Sequence, residues 1–154
     1  MENQLADMIV LIDSTNIHQA AEIHSVAWQE SHRFCSPAFI EMHTPERQKE
    51  YLQTKIDSGS SFYMLVEGEP IGIVSIKGNL IEDLYIHPDR QHQGFGAKML
   101  RFAIEKCSGT PTLWVLENNI RAQAFYHRAG FEKTGRISAI TGQLKEIEME
   151  RRGS

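Results

Sequence analysis

Residues 91–96, Gln-His-Gln-Gly-Phe-Gly, set two glycines one residue apart where an apolar run ends and a helical pattern begins. The first four N–H groups of an α-helix lack partners within it, and the helix dipole adds partial positive charge at that end. A phosphate or diphosphate satisfies both. Gly94 and Gly96 leave the backbone open to close approach, and Gln91, His92 and Gln93 add donors just before the helix. No Lys-Ser/Thr pair follows the glycines, so this is not a Walker loop, and the spacing departs from the dinucleotide fingerprint. Taken alone, the pair also fits a plain turn whose glycines permit tight packing.

The elements that would position this loop follow from pattern and punctuation. Met8–Ile12 reads as a short strand, and Asp13 or Ser14 as the cap of a helix reaching about Gln29. Residues 30–43 read as a loop or broken helix. Thr44-Pro45-Glu46 is a helix start, with a capping hydroxyl, a first-turn proline and an acid; that helix runs to about Asp57. Ser61–Val66, Ile71–Lys77 and Leu80–Ile86 form an antiparallel meander, with turns at 67–70 and at Lys77-Gly78-Asn79. Gly94–Cys107 is a helix and residues 110–117 a strand. Asn118 or Asn119 caps a helix through Ala129 that Gly130 ends, and Phe131–Ile140 pairs with Leu144–Glu150. The class is α/β, with helices flanking a mixed sheet.

The chain has 154 residues, 41% apolar, which suits one domain over residues 1–152 with a real core. A net charge of −4 argues against a dedicated nucleic-acid binder. The charge is uneven: residues 1–79 carry −6 and residues 80–154 carry +2, so an anionic ligand prefers the second half and a cationic one the first. Cys35 and Cys107 make neither a disulfide framework nor a zinc spacing. Cys107 falls on a helix stripe with Gly96, Leu100 and Ala103 and reads as core. The start of the chain lacks a signal-peptide pattern, and no apolar run nears the roughly 20 residues that span a bilayer, so the expected location is the cytoplasm, away from membranes.

Two linked segments turn these readings toward one chemistry. The stretch from Ile81 to Glu105, with Gln91-His92-Gln93-Gly94-Phe95-Gly96 and then Ala97, resembles the acetyl-CoA loop of the GNAT N-acetyltransferase superfamily. The stretch from Leu113 to Gly135 resembles that family's second signature, here Asn119, Tyr126, Gly130 and Phe131. The resemblance implies a mostly antiparallel sheet whose fourth and fifth strands splay apart. It implies acetyl-CoA as co-substrate, with its diphosphate at the helix opening at Gly94. Its amide-bearing arm would pair like an added strand with Leu84, Tyr85 and Ile86. Asn119 would hold that arm from the other wall, and Arg128 would reach the nucleotide. A homodimer through C-terminal strands is implied in the same way.

Attack of an amine on a thioester needs a neutral nitrogen, whereas a free alkyl amine, with a pKa of about 10.4, arrives charged. A base must remove a proton, and an acid must protonate or stabilise the departing sulfur. By resemblance Tyr126 is that acid, and it shares a helix face with Asn119 two turns earlier. Glu82 and Asp83 are candidates for the base. Alternation along a strand sends adjacent side chains to opposite faces, so at most one is expected to face the substrate. The resemblance favours Asp83, which directly precedes Leu84-Tyr85-Ile86, where relatives carry an acid before Leu-x-Val/Ile. A water chain without a dedicated base is the alternative. Relatives that carry a glutamate on the fifth strand differ from this chain, which has Trp114 there.

The seven histidines include no HxxxH or HExxH, so no metal is expected. Trp28, His32 and Phe34 are expected to line the acceptor side. The function these readings imply is direct acetyl transfer in a ternary complex to a primary amine of a small molecule. The alternatives are a protein or peptide acceptor, or a non-catalytic acyl-CoA sensor.

Overall fold

A computed structural model describes residues 8–31 and 36–152. The strands are β1 (Ile9–Leu11), β2 (Ser61–Glu67), β3 (Glu69–Lys77), β4 (Leu80–Ile86), β5 (Thr112–Leu116), β6 (Phe131–Thr141) and β7 (Leu144–Arg151). The helices are α1 (Ile17–Ser31), α2 (Pro37–Glu41), α3 (Pro45–Asp57), α4 (Phe95–Lys106) and α5 (Ile120–Arg128). A 3-10 turn, Pro88–Arg90, precedes α4. The short α2 lies within the stretch expected to be loop or broken helix. Thr44 caps α3 as expected, its hydroxyl accepting from the Arg47 N–H.

The strands make one sheet in the order β1-β2-β3-β4-β5-β7-β6. Every pairing is antiparallel except β4 with β5. Apolar side chains fill both faces. On one, Phe62, Met64 and Ile73 pack against Ile17, Ala20 and Ala21 of α1 and Leu52 of α3. On the other, Val74, Ile76, Ile81, Val115 and Ile147 pack against Met99, Leu100 and Ala103 of α4. Cys107 closes α4 half-buried beside this second cluster rather than deep within it.

β4 and β5 share one register pair, Leu80 with Thr112, at the first residue of each strand. Beyond it the strands part, and the facing edges of Leu84–Ile86 and of β5 have no strand between them. The expected splay is therefore present.

Strict alternation fails on β4. Ser75 pairs with Glu82 and Ile73 with Tyr85, so Asp83 and Leu84 together oppose Val74 alone. This is a β-bulge, and Asp83 takes φ 53° to make it. The extra residue keeps Asp83 on the same side as Glu82, and both reach Lys55 of α3. The expectation that the two carboxylates face opposite sides is corrected by this bulge.

Gly72 sits against that irregular strand. A methyl group there would lie 2.6 Å from the Ile86 side chain and 2.9 Å from the Tyr85 carbonyl oxygen. Gly72→Ala should push the end of β4 away from β3. Overpacking of this kind costs about 1–3 kcal/mol, a fall of roughly 2–4 °C in Tm for each kcal/mol. A thermal melt with an unchanged midpoint would contradict the close approach.

Candidate active site

The candidate anion end is built by the turn between β4 and α4. Gly94 caps α4 with φ 86°, a left-handed conformation that side chains with a Cβ rarely adopt, and among the described residues no side chain caps the helix's free N–H groups. These amides therefore remain available to a ligand. Gly96 is different: a Cβ there would make ordinary contacts with Phe125 at 3.6 Å and Ile86 at 3.8 Å. The fold requires glycine at 94 more strictly than at 96. Of the expected donors, Gln91 bonds the Ile86 carbonyl at 3.2 Å and Gln93 the Asp89 carbonyl at 3.5 Å, so both side chains brace the turn. His92, with φ 65°, turns its ring to the guanidinium of Arg121 at 3.2 Å.

That contact brings the first turn of α5 beside the first turn of α4. Arg128, seven residues after Arg121, lies exposed at the far end of α5, roughly 10 Å along the helix. Of the two arginines on α5, Arg121 is the one in contact with this turn. Arg90 and Lys98 also lie there, each within about 6 Å of the Phe95 ring centre. A sequence signal for Arg121 existed, since it follows the Asn119 cap directly, but helix direction alone decides which arginine is near. Asn119 spends its side-chain oxygen on the Ala122 N–H at 3.0 Å, capping α5, and its amide N–H groups have no partner among the described residues. Ala97 lies in the first turn of α4, after Gly96.

Tyr126, half-buried on α5, rests edge-on against Phe125 and Phe131 at 5.2 and 6.0 Å between ring centres. No protein group within hydrogen-bonding distance engages its hydroxyl among the described residues. Burial pushes the phenol up to about 12, so it carries its proton at neutral pH. Tyr85 is the neighbour that sequence reasoning missed as a side chain. It leaves β4 toward α1, edge-on to His24 at 4.9 Å. Its phenol is raised first by burial, then by the charges of Asp83, Tyr51 and Tyr126. The Tyr85 and Tyr126 rings thus approach from opposite sides of the sheet at the β4–β5 gap.

Below Tyr85 lies a buried polar network. The Asp83 carboxylate, 7% exposed, receives four hydrogen bonds. His24 Nε2 at 3.2 Å and the Tyr51 hydroxyl at 2.9 Å donate to one oxygen. Lys55 Nζ at 2.7 Å and the Ser75 hydroxyl at 3.0 Å donate to the other. Gln48 donates to His24 Nδ1 at 2.7 Å, which leaves the Nε2 proton for Asp83. Burial opposes the Asp83 charge, but the His24 hydrogen bond and the Lys55 ammonium outweigh it and hold the carboxyl at about 2. Glu82, more exposed, also binds Lys55 at 2.7 Å. A carboxylate has about four lone-pair directions, so Asp83 has none left for a substrate or water.

On the side expected to receive the acceptor, Trp28 stacks on His43 with 3.4 Å between ring centres and 10° between planes. His32 and Phe34, expected beside it, and Cys35 lie outside the described residues. No group of three or more His, Cys, Asp or Glu among the described residues could hold a metal ion, and no described helix is long and apolar enough to cross a membrane.

Known proteins resemble this chain in sequence and in fold. Over 70 residues the chain is 36% identical to the peptidyl-lysine N-acetyltransferase YjaB of Salmonella typhimurium, covering 46% of this chain and 48% of that one. Over 88 residues it is 25% identical to the mycothiol acetyltransferase of Amycolatopsis mediterranei, covering 53% of this chain and 29% of that one. The chain thus spans about half or less of these curated relatives. The PaiA N-acetyltransferase of Thermoplasma acidophilum, solved in complex with coenzyme A, superposes with TM-score 0.68 at 19% identity, over 94% of this chain and 98% of that one. The ribosomal-protein-S18-alanine N-acetyltransferase of Escherichia coli superposes with TM-score 0.68 at 19% identity, over 93% and 91%. These two superpositions establish the likeness of fold. The model of the acetyltransferase (GNAT) family matches residues 25–131, more than half of the chain, from α1 through the splayed strands to the start of β6, and the chain belongs to that family.

Proposed function

We propose that this protein transfers an acetyl group from acetyl-CoA to a primary amine by direct attack in a ternary complex. The observation that carries the reading is the gap between β4 and β5, with uncapped helix amides at one end and an unengaged phenol beside it. In this reading the amides of residues 94–97 hold the diphosphate, with Arg121, Arg90 and Lys98 supplying positive charge. The edge of Leu84, Tyr85 and Ile86 pairs with the pantetheine arm, and the free amide of Asn119 meets it from the opposite wall. Tyr126 serves the departing sulfur. A phenol near 12 is a weaker acid than a thiol of about 8.5, so Tyr126 acts first as a hydrogen-bond donor to the developing thiolate. Asp83, saturated by four donors, fixes the bulge and α3 instead of taking a proton.

Trp28 and His43 flank the acceptor side, and the surplus acidity of the first half favours a cationic amine. The relative that is 36% identical is named for peptidyl-lysine, which favours a lysine side chain as a second reading beside a small amine. A thiol-release assay with acetyl-CoA separates these, using alkyl amines in one arm and a lysine-containing peptide in the other. Turnover in either arm supports the enzyme. Coenzyme A binding with no turnover in any arm would leave a sensor and overturn the catalytic reading.

A further inference from the structure

β7 carries three glutamates on one face of the sheet, at 146, 148 and 150, alternating with the buried Ile147 and Met149. This is the face that Glu82 and Asp83 share, because Ile81, Ile147 and Met149 all belong to the opposite one. Two of the three are engaged. Glu148 accepts from Thr134 at 2.8 Å and meets Arg136 at 3.5 Å, and Glu150 meets Arg152 at 3.2 Å. Glu146, half-buried, has no hydrogen-bond donor and no cation in contact among the described residues. It pairs in register with Leu116, the last residue of β5, well past the one register pair, Leu80 with Thr112, that β4 and β5 share.

Of the two carboxylates on this face of β4, Asp83 is filled by four donors and Glu82 is held in an ion pair with Lys55. We infer that Glu146 is the proton acceptor for the incoming amine, acting through water at the open end of the β4–β5 gap. The inference rests on the acetyl-transfer reading and deepens it. Burial, and then the charge of Glu82, raise the proton affinity of Glu146, as a base of this kind requires. The charged groups around it are Glu82 with Lys55 from the β4 side, and Glu148 with Arg136 along β7 and β6. Its register partners Leu116 and Ser138 are uncharged.

The protons balance as follows. An alkylammonium gives one proton through water to the Glu146 carboxylate, which returns it to solvent. The freed nitrogen lone pair forms the N–C bond at the thioester carbonyl. The C–S bond then breaks, and its electron pair leaves on sulfur, held by the Tyr126 hydroxyl. The proton that sulfur gains is matched by the second one nitrogen loses, so the products are an amide, a thiol and one released proton.

The test is Glu146→Gln, assayed by thiol release with acetyl-CoA against n-butylamine and the weakly basic trifluoroethylamine. With n-butylamine, kcat/KM should fall roughly 10²-fold, the acid limb of its pH profile should move up toward the amine's own pKa, and coenzyme A affinity should hold. Trifluoroethylamine, already neutral at assay pH, should be largely spared. An unchanged rate and pH profile in an active protein would overturn the inference alone. A wild type that turns over neither these amines nor a lysine peptide would overturn the acetyl-transfer reading, and the inference with it. A readout free of turnover is carbon-13 NMR of the glutamate carboxyls. Glu146 should titrate above a free glutamate and fall in Glu82→Gln; a titration unmoved by Glu82→Gln, together with an unchanged pH profile in Glu146→Gln, would sink the inference.

Discussion

Tyr126→Phe should lower kcat for acetyl transfer by about 10²-fold while the Kd for coenzyme A stays the same. The ring packs on Phe125 and Phe131, and phenylalanine keeps both contacts. Only the hydroxyl is lost. No protein partner is orphaned with it, so stability should move little. A hydroxyl whose one task is to meet charge developing on sulfur acts in the transition state, so the loss belongs in kcat. Stopped-flow or steady-state thiol release checks the rate, and calorimetry checks the affinity. A variant with full kcat would remove Tyr126 from the chemistry. One with weakened coenzyme A binding and intact kcat would make it a binding residue.

The second large effect falls on stability. Asp83→Ala leaves Lys55 and His24 without their buried acceptor and frees the bulged strand. Breaking a buried ion pair by removing one partner costs about 3–5 kcal/mol, a fall of roughly 10 °C in Tm for a domain this size. Lys55, whose ammonium is favoured chiefly by the Asp83 charge against the cost of burial, reports the same interaction from the other side, and the two are not summed. The pH dependence has a definite sign. The Asp83 carboxyl is depressed from 3.8 to about 2 on folding, so its contribution is present above pH 3.8 and is lost as pH falls toward 2. It amounts to about 2 kcal/mol. Urea unfolding of the wild type between pH 5 and pH 2 should show this slope, and Asp83→Asn should flatten it. An Asp83→Ala melt within a degree of wild type would refute the network's structural role.

The difference between what could be read in advance and what could not lies in how local each signal is. The caps at Thr44 and Asn119 and the turns at Gly78 and Gly130 are written in a few adjacent residues, and the elements between them follow. The glycine at 94 is a local mark of the same kind, and it opens α4 with a φ of 86°. The bulge at Asp83 has no such mark. Its cause is tertiary: four donors from α1, α3 and β3 converge on one carboxylate, and the strand irregularity is what delivers it to them. Alternation therefore misled about Glu82 and Asp83. Arg121 and Arg128 sit on one short helix, and only the direction of α5 tells which is near the anion end. Glu146 lies more than sixty residues from Glu82 in sequence, and sheet order alone makes them flank β5.

All of these roles depend on a nucleotide thioester seated along the open strand edge with its diphosphate at the mouth of α4. Isothermal calorimetry with coenzyme A addresses that directly. The account predicts saturable binding with a Kd in the micromolar range, about −8 kcal/mol, weakened as salt is raised because helix amides and arginines carry part of it. No detectable heat at millimolar coenzyme A, with the protein folded, would contradict it.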